Sequence, residues 1–245
     1  MPHGDVKIGC CGFPVSRKKY FATFSVVELQ KTFYHPPEPK TIERWAKESP
    51  SGFEYTIKAW QLITHPPTSP TYRRLGFKVP EEKHHLYGFF RPTEEVFSAW
   101  QTIREIALLL GSRLVLFQTP SSFEPTEENT SNMKEFFHTI ERAGLTLMWE
   151  PRGKWQPDRI KALCRELKLI HVVDPFKDSP LWGNVKYFRL HGRGGYKYRY
   201  TDEDFRELAT FIDPKKPTYF MFNNVYMFED ATRFREYLCS EGLYK

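Results

Sequence analysis

The stretch LTLMWEPR, Leu145–Arg152, shows in eight residues the pattern that decides the fold of this chain. Apolar residues that favour strands come first, and the run then ends in Glu150 and Arg152, which can bind or react with a ligand. Short runs of this type, bounded by turn-forming residues, are typical of β-strands. The pattern occurs eight times, at Val6–Phe13, Val26–Tyr34, Phe53–Trp60, Arg113–Pro120, Leu145–Arg152, Leu169–Phe176, Lys186–Arg193 and Thr218–Asn224.

Segments with helical periodicity lie between most of these runs. Thr93 is placed to cap one helix, Pro157 suits the first position of another, and Thr201 with Asp204 resembles a capping box. Strands that alternate with helices predict a (β/α)8 barrel, the TIM barrel, and the chain length of 245 residues is close to the roughly 250 that this fold uses. We therefore expect a single domain over residues 1–245. Such barrels place their active sites at the C-terminal ends of the strands, where the polar run ends would lie.

Other parts of the chain fit the pattern less regularly. Further helices are expected at Thr41–Lys47 and from Asp230 to Ser240, but 14–25 and 177–185 leave little room for helices in the first and sixth crossovers. Gln61–Pro92 is a long irregular stretch after the third run, and loops of this length are usually functional or mobile. We expect it to lie over the C-terminal face. Its residues suited to phosphate or base contacts are His65, Tyr72, Arg73, Arg74, Lys78, Lys83, His84, His85, Tyr87, Phe89, Phe90 and Arg91.

The composition limits the classes of partner. The net charge of +6 favours acidic partners such as nucleic acid or phosphorylated metabolites, although an ordinary solvated surface explains it equally well. No stretch approaches the ~18 continuous apolar residues of a membrane span. The first residues carry no secretory signal pattern, so we expect a cytoplasmic protein without a membrane partner. The sequence does not indicate an oligomeric state, and its four cysteines are expected to be reduced thiols.

Motifs near the run ends occur in a fixed order along nearly the whole chain. They are Ile8-Gly9, Gly12-Phe13, Val27-Glu28-Leu29, Thr32-Phe33-Tyr34, Phe53 through Lys58, Thr64-His65, Leu116-Phe117-Gln118, Pro120, Trp149-Glu150-Pro151-Arg152, Trp155, Arg189-Leu190-His191-Gly192 and Phe222-Asn223-Asn224. With these motifs the chain resembles the YecE-like family, domain of unknown function 72. The resemblance implies a TIM barrel related in shape to the xylose-isomerase and endonuclease IV type, and it implies no particular reaction. Cys10-Cys11 stands where the family usually has small hydroxylated residues.

Charged residues within the runs alternate with apolar ones. In the second run Glu28 shares a face with Gln30 and Thr32, and Lys58 lies on the polar face of the third run. Because these two strands should be neighbours, we expect Glu28 and Lys58 to meet inside the barrel, where buried charges must be paired or shifted in pKa. Lys58 can then bind an anion or act as an amine nucleophile, and a purely structural ion pair is the alternative.

Later runs supply further candidates for chemistry. Glu150 and Arg152 alternate onto one face, and Gln118 is a candidate neighbour of Glu150. Arg189 and His191 share a face in the seventh run. The histidine suits general acid or base catalysis near neutral pH, and the arginines suit bidentate binding of phosphate or carboxylate.

These candidates make up the predicted site. Asp174, before Pro175, is interpreted as a loop cap and left out of it. The segment His191–Tyr200 is basic, aromatic and rich in glycine, a composition used to stack on bases and hold phosphates. The predicted catalytic residues are Glu28, Lys58, Glu150 and His191. The predicted substrate-binding residues are His65, Gln118, Arg152, Arg189, Tyr196, Asn223 and Asn224.

No metal ligand and no cofactor is assigned from the sequence. The histidine and carboxylate side chains are of the types that bind a divalent metal ion, so such a site stays an alternative. The nearby lysine and arginines oppose a cation site.

Three functions fit this set of residues. The first is an enzyme that acts on an anionic substrate, foremost a phosphodiester in DNA or RNA, and a hydrolase or nuclease is favoured. The second is a lyase, aldolase or isomerase that uses Lys58 on a phosphorylated or carboxylated metabolite. The third is a nucleic-acid-binding barrel without catalysis. The sequence does not decide whether the protein is an enzyme.

Overall fold

The computed structural model describes residues 5–244, in which parallel strands alternate with helices. The strands are β1 (Val6–Cys11), β2 (Val26–Leu29), β3 (Glu54–Lys58), β4 (Leu114–Gln118), β5 (Thr146–Glu150), β6 (Ile170–His171), β7 (Lys186–Leu190) and β8 (Thr218–Phe222). They form one eight-stranded sheet in the order β6-β5-β4-β3-β2-β1-β8-β7. This alternation and strand order confirm the predicted (β/α)8, or TIM-barrel, fold class.

The helices follow from capping signals that the sequence carries. Thr93 accepts from the Val96 amide, and Thr201 with Asp204 forms a complete capping box, as predicted. Pro157 is the first residue of its helix, where a missing N–H costs no hydrogen bond. The helices are α1 (Arg17–Phe21), α2 (Lys31–Tyr34), α3 (Pro39–Glu48), α4 (Gln61–Thr64), α5 (Glu94–Leu109), α6 (Glu127–Thr139), α7 (Pro157–Glu166), α8 (Asp202–Thr210) and α9 (Met227–Ser240).

The prediction for the second run is wrong beyond Leu29. The strand ends there, and Gln30 begins the turn into α2. The Thr32 hydroxyl donates to the carbonyl oxygens of Leu29, at 3.0 Å, and Lys58, at 2.7 Å. Gln30 and Thr32 therefore do not lie on a strand face with Glu28. Gln30 is the N-cap of α2, and Thr32 lies within that helix.

The sixth run is also shorter than predicted. After β6 only Val173 continues the pairing, through an isolated parallel bridge to Phe188 of β7. Asp174 then closes a turn, since its Oδ1 accepts from the Phe176 amide at 3.2 Å and its carbonyl accepts from the Lys177 amide at 2.9 Å. Proline at position 175 has no N–H to offer a ladder, so the strand cannot extend through it. The short α1 occupies the first crossover, and the part of the structure at 177–185 contains no helix.

The stretch Gln61–Pro92 is not irregular throughout. It contains α4 and two 3-10 helices, Pro70–Arg74 and Glu81–Leu86. Near its end the fully buried Phe90 donates its N–H to the Ile63 carbonyl at 2.8 Å. The Phe90 ring also packs among Phe117, Phe123, Phe136 and Phe137. The loop is therefore anchored in an aromatic core at the point where α5 begins.

The described residues divide into two compact units. The first unit contains the described residues up to Glu28, then Pro50–Glu54, and the chain from Ile170 onward. The second unit contains Leu29–Ser49 and Tyr55–Leu169. The expectation of a single domain over the whole chain stays a prediction.

Each unit has its own parallel strand pairs. In the first, β1 pairs with β2 and β8, so that Cys11 stands opposite Glu28, and β7 pairs with β8. In the second, β4 pairs with β3 and β5, so that Gln118 stands opposite Glu150. Polar residues at the ends of these strands are thereby brought next to one another, and the predicted neighbourhood of Gln118 and Glu150 is confirmed.

Two further expectations concern the membrane and the cysteines. Within residues 5–244, no helix has both the length and the apolar character that a membrane crossing requires. Met1–Gly4, part of the segment inspected for a secretory signal, lie outside the described residues. All four cysteines are free, and only Cys239 is exposed.

Candidate functional site

A buried ion pair joins two strand ends in the first unit. Glu28 in β2 and Arg189 in β7 are both fully buried. The Arg189 Nε lies 3.1 Å from each Glu28 carboxylate oxygen, and Nη2 lies 2.9 Å from Oε1. The Tyr187 hydroxyl donates to the same carboxylate at 2.9 Å. Several donors therefore hold Glu28 in one orientation, and the guanidinium of Arg189 is committed to it.

These contacts bear on the roles predicted for the pair. The charged end of Arg189 faces a protein carboxylate and holds the Glu28 side chain in place. Catalysis by Glu28, substrate binding by Arg189 and a meeting of Glu28 with Lys58 stay predictions.

The two cysteines of β1 lie beside this pair. The Arg189 Nη2 is 3.7 Å from the Cys11 sulfur. Burial raises the pKa of the Cys11 thiol well above its ordinary value, and the Glu28 charge adds to the effect. Burial likewise raises the pKa of Cys10. Because a thiolate is the reactive form, neither cysteine is suited to act as a nucleophile.

A second cluster in the first unit contains a histidine and a carboxylate. His191 follows β7 and is buried, and its Nδ1 lies 3.5 Å from Asp174 Oδ2. The His191 amide donates to the same oxygen at 3.3 Å. The ring of Tyr196 meets the imidazole edge to face, with 5.9 Å between centroids, while Tyr196 itself is 61% exposed. An imidazole at ion-pair distance from a carboxylate thus lies next to an exposed aromatic side chain.

The loop that carries Tyr196 is built around Gly192. Its φ of +83° is in the left-handed region, and a Cβ there would lie 2.4 Å from the Cβ of Tyr198. The Gly192 amide donates to the Tyr200 hydroxyl at 2.8 Å. No other residue type fits this turn without displacement of the loop.

Asn224 holds the other side of the same loop. Its Nδ2 donates to the Tyr198 carbonyl at 2.9 Å and to Asp230 Oδ2 at 2.7 Å. Its Oδ1 is buried and has no hydrogen-bond partner among the described residues. Asn223 is half-buried, and its backbone N–H donates to the Leu190 carbonyl at 2.8 Å. Both asparagines support the backbone around the site, and binding of substrate by their side chains stays a prediction.

In the second unit, Lys58 and His65 lie against the same phenylalanine. The Lys58 Nζ is 3.8 Å from the centroid of the Phe33 ring, and Lys58 is buried. The His65 imidazole meets that ring edge to face at 4.9 Å, and its Nδ1 is hydrogen-bonded to the Thr64 hydroxyl at 2.8 Å. Burial, followed by the positive charge of Lys58, lowers the pKa of His65 to about 3. His65 is therefore neutral at physiological pH and can bind a ligand only as an uncharged imidazole.

Glu150 and Arg152 form another ion pair in this unit. The Arg152 Nη2 lies 2.5 Å from Glu150 Oε1. The glutamate is buried, whereas 30% of the Arg152 side chain is exposed. The backbone is fixed nearby, since the Thr119 amide donates to the Glu150 carbonyl at 3.1 Å. A buried carboxylate therefore orients a cation that solvent and anions can reach.

Metal ligands do not converge in the described part of the chain. No group of three or more histidine, cysteine, aspartate or glutamate side chains within residues 5–244 is arranged to hold a metal ion. Glu28, Glu150 and Asp174, the carboxylates at the strand ends, instead face cationic or imidazole partners.

The structure adds three residues that sequence reasoning left out of the site. Asp174 faces His191, Tyr187 binds Glu28, and Phe33 lies under Lys58. A signal for Tyr187 was available, because alternation places it on the same strand face as Arg189. Asp174 also closes the turn that the sequence predicted for it. Its contact with His191 depends on β7, which is distant in sequence.

The contacts described above link the predicted site residues within each unit. Glu28 and Arg189 form one group, and His191 and Tyr196 form another beside Asn223 and Asn224. In the other unit the groups are Lys58 with His65, and Gln118 with Glu150 and Arg152.

Comparison with known proteins gives the family. A model described as "Protein of unknown function DUF72" matches residues 16–242. The chain belongs to the DUF72 family. It is 24% identical to the UPF0759 protein YunF of Bacillus subtilis (strain 168), over 85% of this chain and 81% of that protein. The resemblance stated from the strand-end motifs is confirmed.

Solved structures with the same fold include a DUF72 protein and two with other names. The DUF72 family protein EF0366 of Enterococcus faecalis V583 matches with a TM-score of 0.70 and 19% identity, covering 98% of this chain and 99% of that one. A xylose isomerase domain protein from Planctomyces limnophilus matches with a TM-score of 0.57 and 14% identity, over 99% and 98% of the chains. Endonuclease IV from Thermus thermophilus matches with a TM-score of 0.56 and 11% identity, over 96% and 99%. At these identities the likeness shows the fold alone.

The ion pair in the first unit predicts a large cost for its disruption. Replacement of Glu28 by Gln keeps the shape but leaves the buried guanidinium of Arg189 without its carboxylate. We expect the free energy of unfolding, measured in urea, to fall by about 3–5 kcal/mol. Glu203→Gln breaks the exposed pair with Arg206, and as a control it should leave the free energy of unfolding almost unchanged, because solvent screens that pair. Equal small losses in the two variants would contradict the structural importance of Glu28.

The environment of His65 predicts a dependence of stability on pH. Its pKa of about 3 in the folded protein lies below the value of about 6.5 in the unfolded chain, so the unfolded chain binds more protons between these values. The stability attributable to the neutral imidazole is complete above pH 6.5 and is lost as the pH falls. Between pH 6.5 and 4 we expect His65 to account for about 3 kcal/mol of lost stability.

His65→Phe should remove this share of the pH dependence, because the ring contact with Phe33 remains while the titrating group does not. The measurement is urea unfolding at a series of pH values. His138→Phe on the exposed surface of α6 is the control and should leave the slope unchanged. A His65→Phe profile parallel to that of the wild type would contradict the depressed pKa.

Proposed function

We propose that this protein is an enzyme that hydrolyses a phosphodiester in nucleic acid, with His191 as its proton-transfer group. The observation that carries the proposal is the geometry of His191. A buried imidazole at a strand end has its Nδ1 3.5 Å from the Asp174 carboxylate and an exposed Tyr196 beside it. Histidine paired with a carboxylate is a frequent arrangement for general acid and base catalysis near neutral pH.

The arrangement supports a specific division of roles. The Asp174 carboxylate lies at ion-pair distance from Nδ1, 3.5 Å away, and forms no hydrogen bond with it in this structure. We assign the proton to Nδ1, so that Nε2 is the base. As the oxygen of a water molecule attacks phosphorus, Nε2 takes its proton, and the bond from phosphorus to the leaving oxygen breaks. The imidazolium then returns a proton to the leaving oxygen. The charge of Asp174 stabilises the imidazolium, which makes Asp174 a positioning residue.

The surroundings of His191 support a nucleic-acid substrate. Tyr196 gives an exposed aromatic surface on which a base can stack, and Lys197 and Arg199 follow it in the same loop. The Arg199 guanidinium lies over the Tyr226 ring at 4.1 Å, so that its position is fixed. The net charge of +6 attracts polyanions. The shared fold with endonuclease IV adds only an analogy, since one fold serves many reactions.

The test uses labelled single-stranded and duplex DNA and RNA. Binding should weaken as salt is raised, because binding to phosphates releases counterions. His191→Ala should lower the cleavage rate by about 10²–10⁴-fold while binding stays within twofold, since general acid–base catalysis contributes about that much. Asp174→Asn should lower the rate less and shift its pH profile, as expected when the imidazolium loses its partner charge.

His138→Ala provides the matched control, because this exposed histidine on α6 should leave cleavage unchanged. Absence of binding to any of these polymers at low salt would contradict the proposal. Binding without cleavage would favour the alternative of a nucleic-acid-binding barrel without catalysis. Cleavage that survives His191→Ala would exclude the assigned role of His191.

A second function is favoured by the surroundings of Lys58. Its ammonium group is buried over an aromatic ring and next to the neutral His65. A lysine amine that has lost its proton can attack a carbonyl carbon. This combination supports a lyase, aldolase or isomerase that forms a Schiff base on a phosphorylated or carboxylated metabolite.

Borohydride trapping tests this second function directly. The amine of Lys58 would add to a substrate aldehyde or ketone, water would leave, and borohydride would reduce the imine to a stable secondary amine. With a panel of phosphorylated aldoses and ketoses, mass spectrometry should find the added mass on Lys58, and Lys58→Arg should abolish it. Labelling spread over exposed lysines such as Lys83 and Lys197, with none on Lys58, would contradict it.

A further inference from the structure

The loop between α4 and α5 contains a cavity that none of the predicted site residues lines. Its volume is about 580 Å³, within the range of about 300–1,000 Å³ that is typical of small-molecule sites. It is lined in part by Tyr72, Arg73, Phe77, Lys78, Val79 and His84. All of these residues belong to the second unit, so the cavity can be considered without reference to His191.

The backbone of this loop fixes an exposed aromatic ring at the cavity. Gly76 has a φ of +91°, and a Cβ at that position would lie 3.0 Å from the His35 ring. The preceding Leu75 is fully buried and anchors the turn. Phe77 then leaves the turn with 46% of its side chain exposed, and it meets the Trp60 ring edge to face at 6.4 Å. A large apolar side chain held in this way is available for a planar ligand.

The charged residues that line the cavity all have one sign. Arg73 and Lys78 line the cavity, and both are exposed. The His84 Nε2 lies 3.2 Å from the Val79 carbonyl oxygen, so that the imidazole is fixed at the wall of the cavity. None of the residues that line the cavity is acidic. The cavity therefore combines an aromatic surface with two cations, the combination that recognises a base and its phosphate.

We propose that this cavity binds a nucleotide unit, with its base against Phe77 and its phosphate between Arg73 and Lys78. A free phosphate would not use the aromatic ring, and a neutral aromatic molecule would not use the two cations. The site is distinct from the proposed catalytic group at His191, and binding here requires no turnover.

Calorimetric titration of the full chain at low salt tests the site with three probes. Adenosine 5′-monophosphate has both recognised parts, adenosine lacks the phosphate, and ribose 5-phosphate lacks the base. We expect the monophosphate to bind at least tenfold more tightly than either of the others. Phe77→Ala should weaken the monophosphate about tenfold and leave ribose 5-phosphate unchanged, whereas Lys78→Ala should weaken both phosphates and leave adenosine unchanged.

Two exposed residues provide matched controls. Leu108→Ala removes an exposed apolar side chain on α5, and Lys83→Ala removes an exposed cation of the same loop that does not line the cavity. Both should leave all three affinities within twofold of the wild type. The proposal is overturned if the monophosphate does not bind saturably, if Phe77→Ala binds it as well as the wild type does, or if Lys83→Ala weakens it as much as Lys78→Ala does.

The outcomes separate this site from the proposed phosphodiesterase. His191→Ala should abolish cleavage and keep the calorimetric affinity for adenosine 5′-monophosphate. Phe77→Ala should weaken that affinity about tenfold and keep the wild-type melting temperature, because about half of its side chain is exposed. Loss of monophosphate binding in His191→Ala together with unchanged binding in Phe77→Ala would overturn the assignment to this cavity.

Discussion

Burial of charge at the ends of parallel strands is the constraint on which both units depend. An ionised group that is removed from water needs an opposite charge or several hydrogen bonds. Without them, the free energy of its lost hydration exceeds the stability of the fold. Glu28 meets this requirement through Arg189 and Tyr187, and Glu150 meets it through Arg152. These contacts fix the side chains in single orientations, as a binding or catalytic site requires of its surroundings.

The same constraint separates the reactive candidates from the inert ones. Burial keeps the thiols of Cys10 and Cys11 protonated and the imidazole of His65 neutral. Arg189 is committed to a carboxylate inside the protein, whereas Arg152 has a similar partner but reaches solvent. The two proposed functions rest on His191 beside Asp174 and on Lys58 over Phe33. They favour different reactions, a phosphodiester hydrolysis and a Schiff-base reaction, and each leaves a distinct experimental signature.

Much of the fold could be predicted because the signals that form it are local. Apolar runs of strand-forming residues, the cap at Thr93 and the capping box at Thr201 act over a few residues, and the structure confirms them. The predictions failed where a distant group decided the conformation. The second run turns into a helix after Leu29, and there the Thr32 hydroxyl donates to the carbonyl oxygen of Lys58, which lies in another strand. No spacing near residue 32 indicates that contact.

The sequence by itself determined the (β/α)8 class, the family and the strands whose ends carry polar residues, since period-two alternation and ordered motifs are properties of the chain. Only the tertiary structure decided which side chains contact the polar residues at the strand ends. Asp174 was predicted as a loop cap, yet it also faces His191 because β7 brings together residues that are 17 positions apart. The cavity at Phe77 depends in the same way on a left-handed turn packed against His35. Pairing and burial arise from contacts between distant segments, and these contacts determine which charged groups are buried against a partner and which reach solvent.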